Sequence, residues 1–168
     1  GGHYWHGNET DQQAPFMFAM AGDPSKTDKV TTEIINTEYG TGPGGLSGNE
    51  DAGQMSAWLV FSMTGFYPVC PVSGEYVITS PSFDNIEIKI PGNKYFTIRC
   101  NRKDKKSVYI ESIRRNGKRY DERYLSHREI LKGGTFTFSI TDKPLPVKYP
   151  GILELIHRIS YKKEKRGK

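Results

Sequence analysis

One short stretch near the start of the chain, YWHGNETDQQAP over residues 4–15, groups aromatic, imidazole, amide and carboxylate side chains. Such a set suits a sugar, because a sugar ring offers an apolar face for stacking and an edge of hydroxyl groups for hydrogen bonds. Asn8, Glu9 and Asp11 also present the hard oxygen ligands that Ca²⁺ accepts, but their spacing matches no EF-hand loop. The alternative is an ordinary loop before a helix, in which Trp5 anchors the core.

A second acidic stretch, Asn49-Glu50-Asp51, lies where five glycines within residues 40–48 lead into an apolar helix. Ser47 and Glu50 fit the S-x-x-E pattern of a capping box, in which hydroxyl and carboxylate each accept a backbone N–H group. Asp51 would then lie in the first helical turn, where a carboxylate stabilises the helix by roughly 0.3–1 kcal/mol. The alternative is a catalytic carboxylate on the rim of a sugar cleft. The spacing by itself favours capping.

The elements that surround these stretches are predicted to be helical up to about residue 68. Asp23-Pro24 is typical of a helix N-cap followed by proline at the first helical position, and Gly40 ends the predicted helix. A short apolar run over residues 16–20 precedes it. From Met55 to Phe66 the apolar positions recur at the i, i+3, i+4, i+7 spacing of a helix packed on one side.

In the second half of the chain the apolar period changes to two, which is typical of strands with one buried face. Turn signals separate the strands at Pro91-Gly92-Asn93 and at Asn116-Gly117, of which the second favours a tight hairpin. We therefore expect an α+β fold. Its parts are helices over 1–68, an antiparallel β-sheet or sandwich over 69–143, and a basic tail over 144–168 that is exposed or disordered.

The net charge of +5 conceals a difference between the two halves of the chain. Residues 1–80 carry a net charge of −7, and residues 81–168 carry +12. The basic residues of the second half alternate with apolar ones along strands, so we expect a solvated face and no nucleic-acid site. No stretch approaches the roughly 18 apolar residues of a membrane span. Cys70 and Cys100 match no metal-binding pattern, and a disulfide and free thiols are both open.

Taken together, YWHGNE and the block YGTGPGGLSGNEDAGQMSAWLVFSMTGFYPVCPVSGEYVITSPSF resemble the C-terminal part of glycoside hydrolase family 92, the exo-acting, calcium-dependent α-mannosidases. The resemblance covers most of residues 3–140, including the later stretch ILKGGTFTF. It implies a secreted or periplasmic hydrolase of mannose-containing glycans, with an N-terminal β-sandwich and an α/α toroid of the six-hairpin type. The helices over residues 1–68 would then be the last helices of that toroid, and we expect this chain to be part of a longer protein.

The resemblance also implies roles for the residues of the two acidic stretches. An inverting glycosidase needs a general acid for the leaving oxygen and a general base for the attacking water. The base corresponds to Asp51, held ionised by the helix N-terminus, whereas the general acid lies upstream, so this chain alone should be inactive. The residues implied to line the substrate are Trp5, His6, Asn8, Glu9, Asn49 and Glu50, and the implied calcium ligands are Glu9 and Asn8.

Two departures from the family pattern are visible. Asn49 stands where some members have an acid. The resemblance therefore does not carry over a second carboxylate that would assist the base. Residues 10–13 stand in place of the proline and histidine that commonly follow the glutamate corresponding to Glu9. This departure concerns the preference for aglycone or linkage more than the reaction itself. Two alternatives come from other classes: a non-catalytic carbohydrate-binding module formed by the β-half, and a basic domain whose nucleic-acid binding would depend steeply on salt.

Overall fold

The computed structural model describes residues 4–146, which fold into helices packed on two β-sheets. The α-helices of this part of the chain are α1 (Ala14–Met20), α2 (Pro24–Thr37), α3 (Gln54–Thr64) and α4 (His127–Lys132). Its strands are β1 (Phe66–Cys70), β2 (Glu75–Ile78), β3 (Asn85–Ile90), β4 (Lys94–Arg102), β5 (Tyr109–Arg115), β6 (Lys118–Arg119), β7 (Tyr124–Ser126) and β8 (Gly134–Thr141). The predicted α+β class is confirmed. Most of the predicted tail, residues 147–168, lies outside the described residues.

The predicted helix signals are confirmed in α2 and α3. Asp23 Oδ1 accepts the backbone N–H of Lys26 at 3.1 Å and so caps α2, which begins at a proline. Helix α3 ends at Gly65, whose φ of 98° lies in the left-handed region that glycine adopts without steric cost. Strand β1 follows directly at Phe66, so the change from helix to strand comes slightly before residue 68.

The three-stranded sheet, in the order β1-β2-β7, lies between the helices and the second sheet. Tyr67 and Val77 point towards the helices and share a buried cluster with Trp58 of α3. Their strand neighbours Phe66 and Ile78 belong to the buried cluster formed with the five-stranded sheet. Because successive side chains of a strand point to opposite faces, this small sheet has an apolar core on each side.

The five-stranded sheet has the order β3-β4-β8-β5-β6, and it is mixed. The turn predicted at residues 91–93 joins β3 to β4, and the one predicted at Asn116-Gly117 joins β5 to β6. The φ angles of Asn116 and Gly117, 48° and 79°, are both positive, as the tight hairpin requires. Strand β8 pairs with β4 in parallel, so the prediction of an antiparallel sheet is wrong for this pair. The connection between these two strands is a long crossover, which permits the parallel direction.

A buried ion pair fastens α2 to the β-strands. Arg123 Nη2 donates to Asp28 Oδ2 at 2.6 Å, and the same oxygen accepts the backbone N–H of Ile110 at 3.0 Å. Burial raises the pKa of Asp28 to about 6 from its ordinary value of 3.8, and the charge of Arg123 only partly opposes this shift. The helices and the sheets are therefore joined by a polar contact as well as by apolar packing.

Three further sequence-based expectations concern the whole chain. Cys70 is exposed and Cys100 is buried, and both are free thiols, which decides the question that the sequence left open. Within residues 4–146, no helix is long and apolar enough to cross a membrane. The division into helical, β and tail domains remains a prediction, and the pair of Asp28 and Arg123 crosses its first boundary.

Candidate active site

The stretch around Glu9 is an irregular segment that one short 3-10 turn, Glu9–Asp11, organises. The N–H of Asn8 donates to the carbonyl of Trp5 at 3.1 Å, and the N–H of Trp5 donates to Asp11 Oδ2 at 3.3 Å. The side chain of Trp5 is 58% exposed. Trp5 is therefore a surface ring that can stack on a ligand, and it does not anchor the core.

The segment before α3 makes a left-handed turn of three successive residues. Asp51, Ala52 and Gly53 have φ angles of 48°, 57° and 95°. Such a conformation costs a non-glycine residue roughly 1 kcal/mol or more, so the surrounding structure must hold it in place. Because α3 starts only at Gln54, Asp51 lies outside its first turn, and the predicted place of Asp51 within the helix is wrong.

The capping box predicted at Ser47 and Glu50 is not formed. Ser47 Oγ is buried and has no hydrogen-bond partner among the described residues. Glu50 caps α3 in another way, because its Oε1 accepts the N–H of Ser56 at 3.2 Å and its carbonyl accepts the N–H of Met55 at 3.3 Å. Two of the free amide groups at the start of the helix are thereby satisfied.

The structure brings Glu9 and Asp51 together from the two acidic stretches. Their carboxyl groups share a hydrogen bond, which raises the pKa of Asp51 and lowers the pKa of Glu9. The negative charges of Glu9 and Glu50 raise the pKa of Asp51 further. The two carboxyl groups therefore do not titrate independently of each other. The expectation that the helix N-terminus holds Asp51 ionised stays a prediction.

His6 lies beneath this surface and supports it. Its ring is 1% exposed and packs edge-on against Trp58, with the ring centroids 4.4 Å apart. The Tyr4 hydroxyl lies 2.7 Å from Nδ1, and Nε2 lies 2.6 Å from the Tyr39 hydroxyl, which donates to the carbonyl of Met55 at 3.0 Å. Since Tyr39 donates onward, Nε2 must carry the proton and Nδ1 must accept one from Tyr4. Burial lowers the pKa of His6 to about 4, and with both nitrogens engaged the ring is not presented to a sugar.

Gln12 is a supporting residue that was not identified from the sequence. Its buried Nε2 donates to the carbonyl of His6 at 3.2 Å, and its Oε1 accepts from Gln54 Nε2 at 3.1 Å. Its own carbonyl accepts the indole N–H of Trp58 at 2.9 Å. Gln12 therefore ties the first stretch to α3, and it does not lie on a surface where an aglycone would bind. No local sequence signal marks it, because its partners His6, Gln54 and Trp58 lie on separate segments.

The remaining predicted residues form a rim, in which Trp5, Asn49 and Asp51 are exposed and Asn8, Glu9 and Glu50 are half-buried. Its one side carries Trp5, Asn8 and Glu9, and its other side carries Asn49, Glu50 and Asp51. Two clefts of about 650 and 290 Å³ elsewhere in residues 4–146 contain neither carboxyl group. An enclosed sugar pocket at this rim would need walls from outside the described residues.

The donor chemistry of the rim fits one side of a calcium site. Glu9 and Asn8 present the hard oxygen atoms that Ca²⁺ prefers, and a cation would relieve the repulsion between the adjacent carboxylates of Glu9 and Asp51. Ca²⁺ takes six to eight such ligands, however. Within residues 4–146, no group of three or more Asp, Glu, His or Cys side chains is arranged to hold a metal. The other ligands would have to come from elsewhere in a longer protein.

Comparisons with known proteins point to a single family. The sequence profile of the glycosyl hydrolase family 92 catalytic domain matches residues 1–142. A protein of Arthroderma benhamiae that is named an uncharacterized secreted glycosidase is 34% identical over 137 residues. That match covers 80% of this chain and 18% of the fungal protein.

Two solved structures from Bacteroides thetaiotaomicron share the fold. One is a family GH92 alpha-mannosidase, with a TM-score of 0.80 and 37% identity over 85% of this chain and 19% of that one. The other is a family GH92 inverting mannosidase, with a TM-score of 0.80 and 34% identity over 89% of this chain and 22% of that one. The chain thus spans about a fifth of the length of these relatives. It belongs to glycosyl hydrolase family 92.

Proposed function

We propose that this chain forms the general-base side of the active site of an inverting, calcium-dependent α-mannosidase that hydrolyses terminal α-mannosides of glycans. The observation that carries the proposal is the contact between the Glu9 and Asp51 carboxyl groups on a rim that also carries the exposed ring of Trp5. Membership of the family and the mannosidase activity named for two relatives support the substrate class. The name of the fungal relative supports a secreted protein.

Asp51 is the base in this proposal. Once ionised, Asp51 accepts a proton from the water that attacks the anomeric carbon on the face opposite to the leaving oxygen. Where no cation is bound, Glu9 raises the pKa of Asp51, and calcium bound at Glu9 would offset this effect. Trp5 offers an apolar surface for the sugar ring. Asn49 and Glu50 line the rim beside the base.

Glu9 is too close to Asp51 to serve as the partner acid. In inverting glycosidases the two carboxyl groups stand roughly 6.5–9.5 Å apart, which leaves room for the attacking water. The carboxyl groups of Glu9 and Asp51 share a direct hydrogen bond and leave no such room. Glu9 is therefore not the general acid. The family resemblance implies an acid upstream of this chain, and we expect that this chain alone does not turn over an α-mannoside.

Glu9 and Asn8 are the proposed calcium ligands of this chain. Bound calcium would hold the mannose 2- and 3-hydroxyls and favour ring distortion towards the transition state. In the longer protein, Glu9→Ala should raise the calcium concentration needed for half-maximal activity, because one anionic ligand of the set is lost. Calorimetric titration with Ca²⁺ should report the same weakening. The control is Glu33→Ala, which changes an exposed residue of α2. An unchanged calcium response in Glu9→Ala would contradict the assignment of Glu9 as a ligand.

The base assignment is tested by Asp51→Asn in the longer protein. We expect kcat to fall by roughly 10²–10⁴-fold, the usual contribution of a general base, with little change in KM. Asp121→Asn, the same change at an exposed position of the β-region, should leave kcat unaltered. Full activity of Asp51→Asn would contradict the proposal. Mannose binding that survives Asp51→Asn but is lost after changes on the β-region would favour a carbohydrate-binding module instead.

A further inference from the structure

Two glycines meet where the Glu9 and Asp51 stretches cross. A Cβ atom placed on Gly48 would lie 2.4 Å from the Cα of Gly7, and one placed on Gly7 would lie 2.9 Å from the Cα of Gly48. Real Cβ atoms essentially never approach another heavy atom closer than 3.0 Å. Neither position has room for a side chain unless one of the two backbones moves.

The reason for glycine at both positions is space. Neither Gly7 nor Gly48 has a positive φ, so no left-handed conformation demands glycine there. The Trp5 ring adds to the crowding, because its carbon Cζ2 would lie 2.7 Å from the same Cβ on Gly7. The exposed Trp5 ring can turn away, so the contact that a side chain cannot avoid is the one between the two backbones.

We propose that the Gly7–Gly48 contact positions the carboxyl pair, because the close approach of the two backbones sets how near Glu9 comes to Asp51. Gly7 precedes Glu9 by two residues and Gly48 precedes Asp51 by three, so a displacement at the contact moves both side chains. The buried bonds of Gln12 hold the first stretch against α3 and limit any compensating shift. The catalytic meaning of this contact rests on the proposed function, whereas the positioning itself is a property of this chain.

The proximity of positions 9 and 51 can be measured by crosslinking in this chain. Glu9→Cys and Asp51→Cys introduce two thiols that dibromobimane bridges with a gain of fluorescence, and Cys70→Ser removes the exposed native thiol. We expect Gly48→Ala to slow this bridging about tenfold or more, because bridging depends on proximity in the way that intramolecular reactions do. The folded fraction of each variant is measured by circular dichroism before the reaction.

Two other glycines of the same loop provide matched controls. A Cβ on Gly45 would lie 2.4 Å from the carbonyl oxygen of Gly40, which is an equal clash that does not involve Gly7. A Cβ on Gly44 would meet nothing within 4 Å. Gly45→Ala and Gly44→Ala should therefore leave the bridging rate of the folded chain unchanged.

The longer protein provides a kinetic readout. Gly48→Ala should lower kcat by about 10²-fold with KM unchanged, the size expected for a displacement of about 1 Å, whereas Gly45→Ala should not. Equal bridging rates in Gly48→Ala and Gly45→Ala would overturn the proposal. Loss of folding in both Gly48→Ala and Gly7→Ala would also overturn it, because the contact would then serve the fold. If Gly48→Ala slows bridging but Asp51→Asn keeps full activity, the positioning role stands and the proposed function is rejected.

Discussion

Among the neighbouring groups, Glu9 affects the protonation of Asp51 most strongly. The pKa of Asp51 is raised by its hydrogen bond to Glu9 and by the negative charge of Glu9. The neutral side chain in Glu9→Gln removes that charge, so the pKa of Asp51 falls and Asp51 stays ionised to lower pH. In the calcium-free chain, an NMR titration of the Asp51 carboxyl group should therefore give a lower pKa in Glu9→Gln. Glu33→Gln should leave this pKa unchanged, and an unchanged or raised pKa of Asp51 in Glu9→Gln would show that Glu9 does not control this proton.

The start of α3 depends on Glu50 and not on Ser47. Glu50→Ala removes the acceptor of the Ser56 N–H and should lower the free energy of unfolding by about 0.5–2 kcal/mol, as other helix caps do. Ser47→Ala should cost almost nothing, because Ser47 Oγ has no hydrogen-bond partner among the described residues. Urea unfolding of both variants measures the difference. Equal losses of stability in the two variants would indicate that Ser47 and Glu50 do form the capping box that the sequence pattern favours.

Tyr39, which follows α2, ties that helix to α3 through its hydroxyl. Tyr39→Phe leaves His6 Nε2 and the carbonyl of Met55 without their partner, which should cost about 1–3 kcal/mol of stability. Tyr95→Phe is the matched control, because the Tyr95 side chain on β4 is 48% exposed. Thermal unfolding compares the two variants, and a loss in Tyr39→Phe no larger than that in Tyr95→Phe would contradict a structural role for this network.

At the scale of the whole molecule, the pair of Asp28 and Arg123 makes the attachment of helices to sheets depend on pH. The pKa of Asp28 is about 6 in the folded chain, above its ordinary value of 3.8. The folded state therefore binds more protons between these values, and the contribution of Asp28 to stability falls as the pH rises through this window. Arg123→Met leaves a buried carboxylate without its counter-charge, which should cost roughly 3–5 kcal/mol above the window. The loss should be smaller at about pH 5, where more of Asp28 is protonated.

Urea unfolding at about pH 5 and about pH 8 measures this dependence. Arg119→Met is the control, because the side chains of Arg119 and Asp121 are 81% and 69% exposed, and such a pair contributes only about 0–1 kcal/mol. Losses of equal size at both pH values in Arg123→Met would show that Asp28 does not titrate in this window.

The helix start and the hairpin turn could be predicted from the sequence, because the signals for them come from residues only a few positions apart. Asp23 caps α2 where the Asp-Pro pair indicated, and Asn116-Gly117 makes the predicted hairpin turn. The family was accessible too, because the block around Asp51 is long and specific, and the match over residues 1–142 confirms it. The role of Asp51 as a base stays a prediction.

The tertiary structure alone decided how the two acidic stretches meet. The parallel pairing of β4 with β8, the burial of His6 and the raised pKa of Asp51 all depend on groups that are distant in the sequence. A local sequence pattern indicates which secondary structure each segment prefers. The pKa of a carboxyl group depends instead on which other charges the fold places beside it. Helix-cap reasoning therefore considered only the helix N-terminus beside Asp51, whereas the fold also places Glu9 there, which raises the pKa of Asp51.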